Sequence, residues 1–429
     1  MKRLILALPL ALLFAPLPCH ALTLEEGLKA VTENGRDVKI ARSDETIARE
    51  TVSLARAPWL PTVDLYGRET WLRYQPAALF GGNSVFTSQD QFTTYGVKAT
   101  QMLYDFGKTS SSIDAAKYGL KAREIETVRV RNQSALDFIV SYLDLLESEK
   151  LQHVAGEEVT RYEAHRKDAE ARLKAGVITR NEVLQSEVTL ADSRQRLLSA
   201  EDLLSLKASR INSLLLKPLN DPVQAEEVKP SPATGITLEA AWTAAEAESS
   251  DLRDLDAKIA AKGESVRTIE AEYLPTLYLS GGYEYQENRY LVHQDNWSLI
   301  AGVNVNLSSG GASRSKVGMA NSELRSLKLL RDKMLDTVRL SVKAAYLDHQ
   351  TSRQKVEVAN TAVAAAVENL RLHKLRFKEG VGTTTDVLDA VTLLSTAESN
   401  LWRATYATQR AEANLLYAMG KDLVTAYGK

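Results

Sequence analysis

The sequence carries two copies of one plan, and this duplication limits the possible folds more than any other feature. Leu22–Glu25 returns as Ile236–Glu239, and Leu60–Thr62 returns as Leu274–Thr276, in both cases 214 residues later. A period this long excludes a solenoid of short repeats. We therefore expect two similar halves that pack around a pseudo-symmetry axis.

Farther along the chain, the offset between the two copies falls to 204 residues, as between Tyr142 and Tyr346. The change of ten residues arises between Thr62 and about Gly107. The two halves therefore differ mainly in one loop, which is longer in the first copy.

The repeat suggests the organisation of the whole chain. We predict a first repeat over residues 22–216, a linker rich in proline and glutamate over residues 217–235, and a second repeat over residues 236–429. Each repeat is expected to contain a helix, two strands, a long helix, a break and a further helix.

The distribution of proline predicts unusually long helices. No proline lies between Pro76 and Pro218, and none follows Pro275. Because proline disrupts helix interiors, these stretches allow helices from about Ser110 to Leu173 and from about Ser313 to Phe377, each roughly 100 Å long. Apolar residues recur in the second stretch at the three-to-four spacing of coiled coils: Leu324, Leu327, Leu330, Met334, Val338, Val342 and Ala345.

Glycines mark the ends of both long helices. Gly176 and Gly380 are suited to helix C-caps, and the next helix in each half can be capped by Thr179 or Thr385. Each half should therefore contain an antiparallel helical hairpin with a tight turn at its tip.

Segments with strict period-two alternation predict short strands that have one apolar face. This pattern is typical of transmembrane barrel strands, as are aromatic residues near the strand ends. A soluble sheet covering a core would show the same alternation. We expect Val303 to face lipid near the bilayer midplane and Asn304 to face a lumen. The apolar positions are Tyr95, Val97, Ala99 and Leu103 in the first half, and Leu277, Leu279, Gly281, Tyr283, Tyr285, Trp297, Leu299, Ala301, Val303, Val305 and Leu307 in the second.

Four strands cannot close a barrel within one chain. Open sheet edges in lipid would leave backbone groups unpaired, at several kcal/mol each. The strands must therefore pair across subunits. Three chains would supply about twelve strands, enough for an aqueous lumen, but the pattern itself requires only closure and does not give the number of copies. The expected fold class is a mixed α/β membrane protein, in which a long α-helical coiled-coil barrel is joined to a transmembrane β-barrel with four strands per protomer, completed by further copies of the chain.

The first residues predict export from the cytoplasm. Lys2 and Arg3 precede an apolar run, followed by Cys19 and Ala21, which is the order of a secretory signal peptide over residues 1–21. We expect cleavage after Ala21. The residues before Cys19 do not form a lipobox, so acylation of that cysteine is not expected.

Composition and motifs argue against several classes of protein. The chain carries a net charge of −2 and lacks the basic excess of a nucleic-acid binder. Its histidines are scattered, and no nucleophile elbow or glycine-rich phosphate loop is found, so we predict no enzyme activity, no metal site and no cofactor. A periplasmic coiled-coil scaffold or adaptor protein without a pore would explain the helices, but it would not explain the alternating strands.

Two motifs carry a resemblance to a known family. Tyr104–Gly107 (Tyr-Asp-Phe-Gly) leads out of a predicted strand, and Phe377–Ala390 forms a helix-turn-helix around the Gly380 turn. With the duplicated plan, they make the chain similar, over nearly its whole mature length, to TolC-like outer-membrane efflux proteins.

The resemblance implies a homotrimeric channel in the outer membrane that extends into the periplasm as a helical tunnel. It implies that a periplasmic adaptor (membrane fusion) protein and an inner-membrane pump dock at the closed end of the tunnel. The expected function is export of small molecules or proteins to the exterior, in contact with outer-membrane lipid and without a nucleic-acid partner.

The resemblance also suggests a constriction at the periplasmic end. Asp386 and Asp389 match the position of an acidic ring in many members, and their spacing of three places both on one helix face. The first-half equivalents are Glu182 and Gln185. Such a ring would favour cations. The simpler alternative is that these acids only stabilise a helix N-terminus.

The remaining site predictions concern the helical turns. Some members hold the closed end with a Tyr–Arg pair, whose matching positions here are Phe377 and Gly382, so another contact, through Arg376 or Arg180, would be needed. The residues expected to dock the adaptor are Gly176, Val177, Gly380, Val381, Val387 and Leu388.

Overall fold

A computed structural model describes residues 21–228 and 235–427 of the chain. The predicted signal peptide lies outside these residues except for Ala21, and so does Cys19. The predicted linker is described up to Val228 and again from Gly235.

The two halves contain the same succession of helices. Corresponding helices have equal lengths, 11, 21, 67 and 35 residues in chain order. The first half consists of α1 (Leu24–Asn34), α2 (Arg36–Arg56), β1 (Thr62–Trp71), β2 (Ala77–Phe80), β3 (Asn83–Phe86), β4 (Gln91–Tyr104), α3 (Lys108–Lys174) and α4 (Arg180–Leu214). The second half consists of α5 (Leu238–Glu248), α6 (Ser250–Glu270), β5 (Thr276–Gln286), β6 (Asp295–Asn304), α7 (Ala312–Lys378), α8 (Thr384–Ala418) and α9 (Leu423–Tyr427).

The first helix of each half is interrupted, where the sequence predicted one helix. Gly35 adopts φ −52° and ψ 142°, which is an extended rather than a helical conformation, and separates α1 from α2. Ser249 separates α5 from α6 and accepts a hydrogen bond from the Leu252 amide as an N-cap. Because neither break involves proline, the proline map could not reveal them.

The long helices agree with their predicted limits within two residues. At 67 residues, α3 and α7 each extend roughly 100 Å. The helix α4 packs along α3, and α8 packs along both α7 and α3, so the two hairpins form one bundle. Within residues 21–228 and 235–427, no helix is both long enough and apolar enough to span a bilayer.

The larger sheet has the strand order β1-β4-β5-β6 and is antiparallel throughout. Its two faces differ, because partners in register point to the same side. One row aligns Leu65, Val97, Tyr283 and Trp297, and we call this side the apolar face. The opposite side, the polar face, includes the row of Asp64, Lys98, Gly282 and Ser298.

The last strand is shorter than predicted. It ends at Asn304, so Val305 and Leu307, which continue the alternation in the sequence, lie outside it. Val303 is therefore the penultimate residue of the strand and not close to its middle. Alternation alone cannot distinguish a strand from an extended segment that has lost its neighbour.

The largest cluster of buried residues in the described chain joins the halves midway along α3. Phe138 and Tyr142 of α3 are fully buried there, together with residues from α1, α4 and α8. A Cβ atom on Gly27 would lie 2.0 Å from the Phe138 ring, so only glycine allows α1 to approach α3 this closely. This core fixes the bundle from which both hairpins project.

Candidate functional site: the paired hairpin tips

The turns of the two hairpins have the same backbone geometry. In the first tip (residues 175–179), Gly176 has φ 70°, and the Val177 amide donates to the Arg172 carbonyl at 2.9 Å. In the second tip (residues 379–383), Gly380 has φ 74°, and the Val381 amide donates to the corresponding carbonyl of Arg376 at 3.0 Å. Both turns are Schellman motifs, which require the left-handed conformation that glycine adopts without strain.

Each tip is followed by a capping box. The Thr179 amide donates to the Glu182 carboxylate at 3.2 Å, and the Thr383 amide donates to the Asp386 carboxylate at 2.9 Å. The sequence suggested Thr385 as the second cap, but the structure assigns this role to Thr383, two residues earlier. The threonine run made the choice ambiguous, whereas the three-residue spacing from Thr383 to Asp386 marks the box.

The capping role affects the charge state of Asp386. The backbone amide of Thr383, aided by the Thr383 hydroxyl, holds the pKa of the Asp386 carboxyl below its usual range. The carboxylate therefore stays ionised at neutral pH. Asp389 lies one turn farther along α8 and is exposed. The two acids predicted to form one constriction thus have different surroundings.

The first-half residues of the predicted constriction lie against the second tip. The Thr384 hydroxyl donates to the Glu182 carboxylate at 3.0 Å, and the Gln185 amide donates to the Thr385 hydroxyl at 3.2 Å. The two hairpin tips are thereby joined side by side at one end of the bundle. Asp386 and Asp389 lie on the same helix as the two threonines.

Two of the residues expected to dock a partner are instead part of the interior. Val387 is 1% exposed and Leu388 is 4% exposed, in a cluster that includes Tyr162 and Phe377. They offer no surface in this conformation, because α8 turns them toward α3 and α7. Their buried face could not be identified from one helix alone. Val177 and Val381 are exposed at the turns.

The structure also shows what occupies the position of the missing polar latch. The Phe377 ring is buried, with the Arg172 guanidinium 4.5 Å from its centroid and the His165 ring 5.0 Å from it. Arg172 also donates to the Lys378 carbonyl at 3.0 Å. Phe377 therefore anchors α7 on α3 by packing, with Arg172 rather than Arg376 or Arg180 as the arginine in contact.

The two hairpins share a further contact, which the sequence does not predict. Arg161 of α3 donates two hydrogen bonds to Glu398 of α8, at 2.9 and 3.0 Å. Both side chains are mostly buried, and bidentate pairs of this kind fix geometry as well as charge. Arg161 and Glu398 lie 237 residues apart in the chain, so no local sequence pattern identifies the pair.

His165 gives the tip region a predicted dependence on pH. It is 5% exposed, and its Nε2 has no hydrogen-bond partner in the described part of the chain. Burial lowers the pKa of His165; Asp168 opposes this shift, whereas Lys374 and Arg172 reinforce it. An unfolded histidine has a pKa of about 6.5. Below that pH, the unfolded state therefore binds more protons than the folded state, in which His165 stays neutral. The folded tip should then lose stability.

We expect hydrogen exchange around the tips, corrected for its intrinsic pH dependence, to increase between neutral pH and mild acid. His165→Phe should remove most of this increase, because the ring stays apolar at both pH values. His153→Gln, an exposed position on the same helix, is the matched control and should leave the increase intact. An equal increase in the His165→Phe protein would contradict the assignment.

In the described residues, no group of three or more histidine, cysteine or acidic side chains is placed to hold a metal ion. The arrangement consists of two capped, mutually bonded helical turns at the end of a long bundle, with exposed valines and acids. It is suited to contact with another protein and to lining an aqueous passage.

Comparison with known proteins identifies the family. The family described as Outer membrane efflux protein matches residues 28–215 and 242–421, which cover both halves. The chain is 23% identical over 406 residues to the outer membrane efflux protein BepC of Brucella suis, a match that covers 93% of this chain and 85% of the relative.

Solved structures of other outer-membrane proteins have the same fold as this chain. VceC from Vibrio cholerae superposes with a TM-score of 0.78 at 18% identity, covering 93% of this chain and 96% of that one. The CmeC outer membrane channel of Campylobacter jejuni superposes with a TM-score of 0.78 at 16% identity, covering 92% of this chain and 85% of that one. The chain therefore belongs to the outer membrane efflux protein family and is an efflux channel protein of the outer membrane that extends into the periplasm, not an enzyme.

Proposed function

We propose that three copies of this chain form a continuous export duct, and that a periplasmic adaptor and an inner-membrane pump engage it at the paired tips. The observation that carries the proposal is the geometry of the molecule: a sheet with an apolar outer face lies at one end of a bundle roughly 100 Å long. The two joined tips lie at the other end.

The edges of the sheet support association between copies. Among the residues that the structure describes, strands β1 and β6 each have a neighbour on one side only. In lipid, such edges must be paired. Because β1 runs away from the helices and β6 runs toward them, β6 of one copy can pair with β1 of the next in the antiparallel sense. Head-to-tail pairing of this kind closes into a ring.

In the described part of the chain, the helices also leave apolar faces without a partner. On α2, Ile40, Ile47 and Leu54 are all exposed and follow one another at intervals of seven residues. A heptad stripe is the seam of a coiled coil. The same ring closure would bring a helix of the next copy against this stripe.

The tips carry the proposed docking surface. Val177 and Val381 are the exposed apolar side chains of the two turns, and the Schellman motifs hold them rigidly. Rigid apolar anchors at the centre of a small surface are typical of protein–protein interfaces. The proposed docking set therefore consists of Gly176, Val177, Gly380 and Val381, and excludes the buried Val387 and Leu388.

A photo-crosslinking amino acid in place of Val381 should test the proposal in intact cells. We expect irradiation to give an adduct with a periplasmic adaptor protein, identified by mass spectrometry. The same amino acid at Ser322, an exposed position of α7 near the sheet, is the control and should give no such adduct. Equal adducts from both positions, or an adaptor adduct from Ser322 alone, would contradict docking at the tips.

A further inference from the structure

The connection between β1 and β4 contains a separate hairpin that the export function does not use. Strands β2 and β3 pair from Ala77 opposite Phe86 to Phe80 opposite Asn83, and we call residues 77–86 the outer hairpin. Its turn consists of Gly81 and Gly82, with φ of 56° and 89°. Positive φ at both central residues is the geometry of a tight two-residue turn. The hairpin lies at the end of the sheet opposite the helices.

The base of the outer hairpin is fixed by polar contacts with the second half. The Gln75 side-chain amide donates to the Tyr290 hydroxyl and to the Ser88 carbonyl, both at 3.1 Å. Asn288, which is almost completely buried, donates to the Ser88 hydroxyl at 2.8 Å. The hairpin is therefore held in place by the β5–β6 connection.

The rest of the outer hairpin is apolar and exposed. Leu79 is 78% exposed and Phe80 is 63% exposed, and Val85 and Phe86 are exposed as well. No charged residue occurs from position 74 to position 89. An isolated two-stranded hairpin is only marginally stable in water, and a cluster of exposed apolar side chains usually marks a contact with a protein or a membrane.

The neighbouring residues indicate which contact this is. Trp71, the last residue of β1, lies on the apolar face of the sheet, as do Tyr95 and Trp297 near the same end. Aromatic side chains on the lipid side of a barrel mark the level of the lipid headgroups. Trp71 is the outermost of these three aromatic residues in the strand register, and the outer hairpin begins a few residues after it. We infer that the base of the hairpin lies near the headgroups of the outer leaflet.

We propose that the outer hairpin is a lipid anchor that inserts Leu79 and Phe80 into the outer leaflet of the outer membrane. Leu79 and Phe80 lie beside the turn on opposite faces of the hairpin, so both side chains enter the leaflet when the turn points into it. The lack of charge removes one large cost of insertion, and the fixed base reduces the entropy lost on binding. Shallow insertion at the turn leaves the unpaired backbone edges nearer the base at the hydrated surface, where water can satisfy them. Burial of one Leu and one Phe from each chain would hold the outer end of the sheet at a defined depth. The alternative occupant is the hairpin of another copy, packed over the pore.

An environment-sensitive fluorophore on Leu79→Cys, in a Cys19→Ser background, tests the proposal in the full-length assembled protein. In phosphatidylcholine vesicles that contain doxyl-labelled phospholipid, we expect quenching comparable to that of a probe at Leu299→Cys on the apolar face. A probe at Ser298→Cys on the polar face should not be quenched.

Matched charge variants sharpen the result. In the labelled Leu79→Cys protein, Phe80→Asp should reduce quenching strongly, whereas Asn83→Asp, directly opposite in the hairpin, should reduce it less. An unquenched probe at Leu79 with a quenched probe at Leu299 would overturn the anchor while leaving the export function intact. Disulfide formation between copies through Leu79→Cys would also overturn it, in favour of hairpins that meet over the pore. Loss of quenching at Leu299 would contradict the orientation of the sheet, and the anchor with it.

Discussion

Leu299→Arg is expected to remove the proposed oligomer, which we expect to resist heat as closed barrels do, from the outer membrane, at a cost of about 2–4 kcal/mol in each chain. Leu299 lies in the middle of β6, on the apolar face, and is 75% exposed in the single chain. Its row across the sheet consists of Val63, Ala99 and Gly281. An arginine at this position would have to be buried in the hydrocarbon core of the bilayer or move toward the surface, in every copy of the ring.

The neighbouring residue provides the control. Ser298→Arg introduces the same side chain one residue away, on the polar face opposite Gly282, in the row that continues to Lys98 and Asp64, and should leave the oligomer largely intact. The measurement is the amount of heat-resistant oligomer in outer-membrane fractions at matched expression. Equal loss in both variants, or in neither, would contradict the assignment of the two faces. Leu299 is a sharper test than Val303, which the structure places at the end of the strand.

The long helices, the positions where they end and the strands could be predicted, because each depends on residues that have one strong physical effect. Proline-free stretches allowed two helices roughly 100 Å long, and single glycines at Gly176 and Gly380 indicated where they end. The alternation of apolar and polar residues predicted strands with one apolar face. The family prediction rested on these features and on the motif around Gly380, and the family match confirms it.

The features that could not be predicted depend on contacts between distant segments. Whether Val387 faces solvent or the interior is decided by the packing of α8 on α3 and α7, which a single helix does not reveal. The Arg161–Glu398 pair joins segments from the two halves. The outer hairpin is a different case, because Gly81 and Gly82 between apolar residues are a recognisable hairpin signal. The ten extra residues of the first copy predict a longer loop, but their number alone does not predict the hairpin within it.

The surroundings of Asp386 and Asp389 distinguish the roles of the two acids in the predicted constriction. Asp386 accepts a hydrogen bond from the Thr383 amide and completes a capping box, so its removal should destabilise the tip whatever its role in the passage. Asp389 has no part in that cap and is exposed on the same helix. We therefore propose that Asp389 supplies the ring of charge at the tunnel end, and that Asp386 mainly positions the turn before it. A combined substitution would confuse the two effects.

Asp389→Asn should therefore weaken cation preference and block by multivalent cations, without loss of the oligomer. Removing one carboxylate from each copy lowers the negative potential in a confined aqueous ring, where salt screens charges poorly. The sheet lies roughly 100 Å away along the helices and should be unaffected. The measurement is ion selectivity and block in planar bilayers, with multivalent cations added on the side of the helical tips. Glu187→Gln, which removes one exposed acid per chain from α4, is the matched control and should change neither property. If Asp389→Asn retained the selectivity and the block of the unmodified channel, Asp389 would not line the constriction, and Asp386 would remain as an acid that only caps its helix.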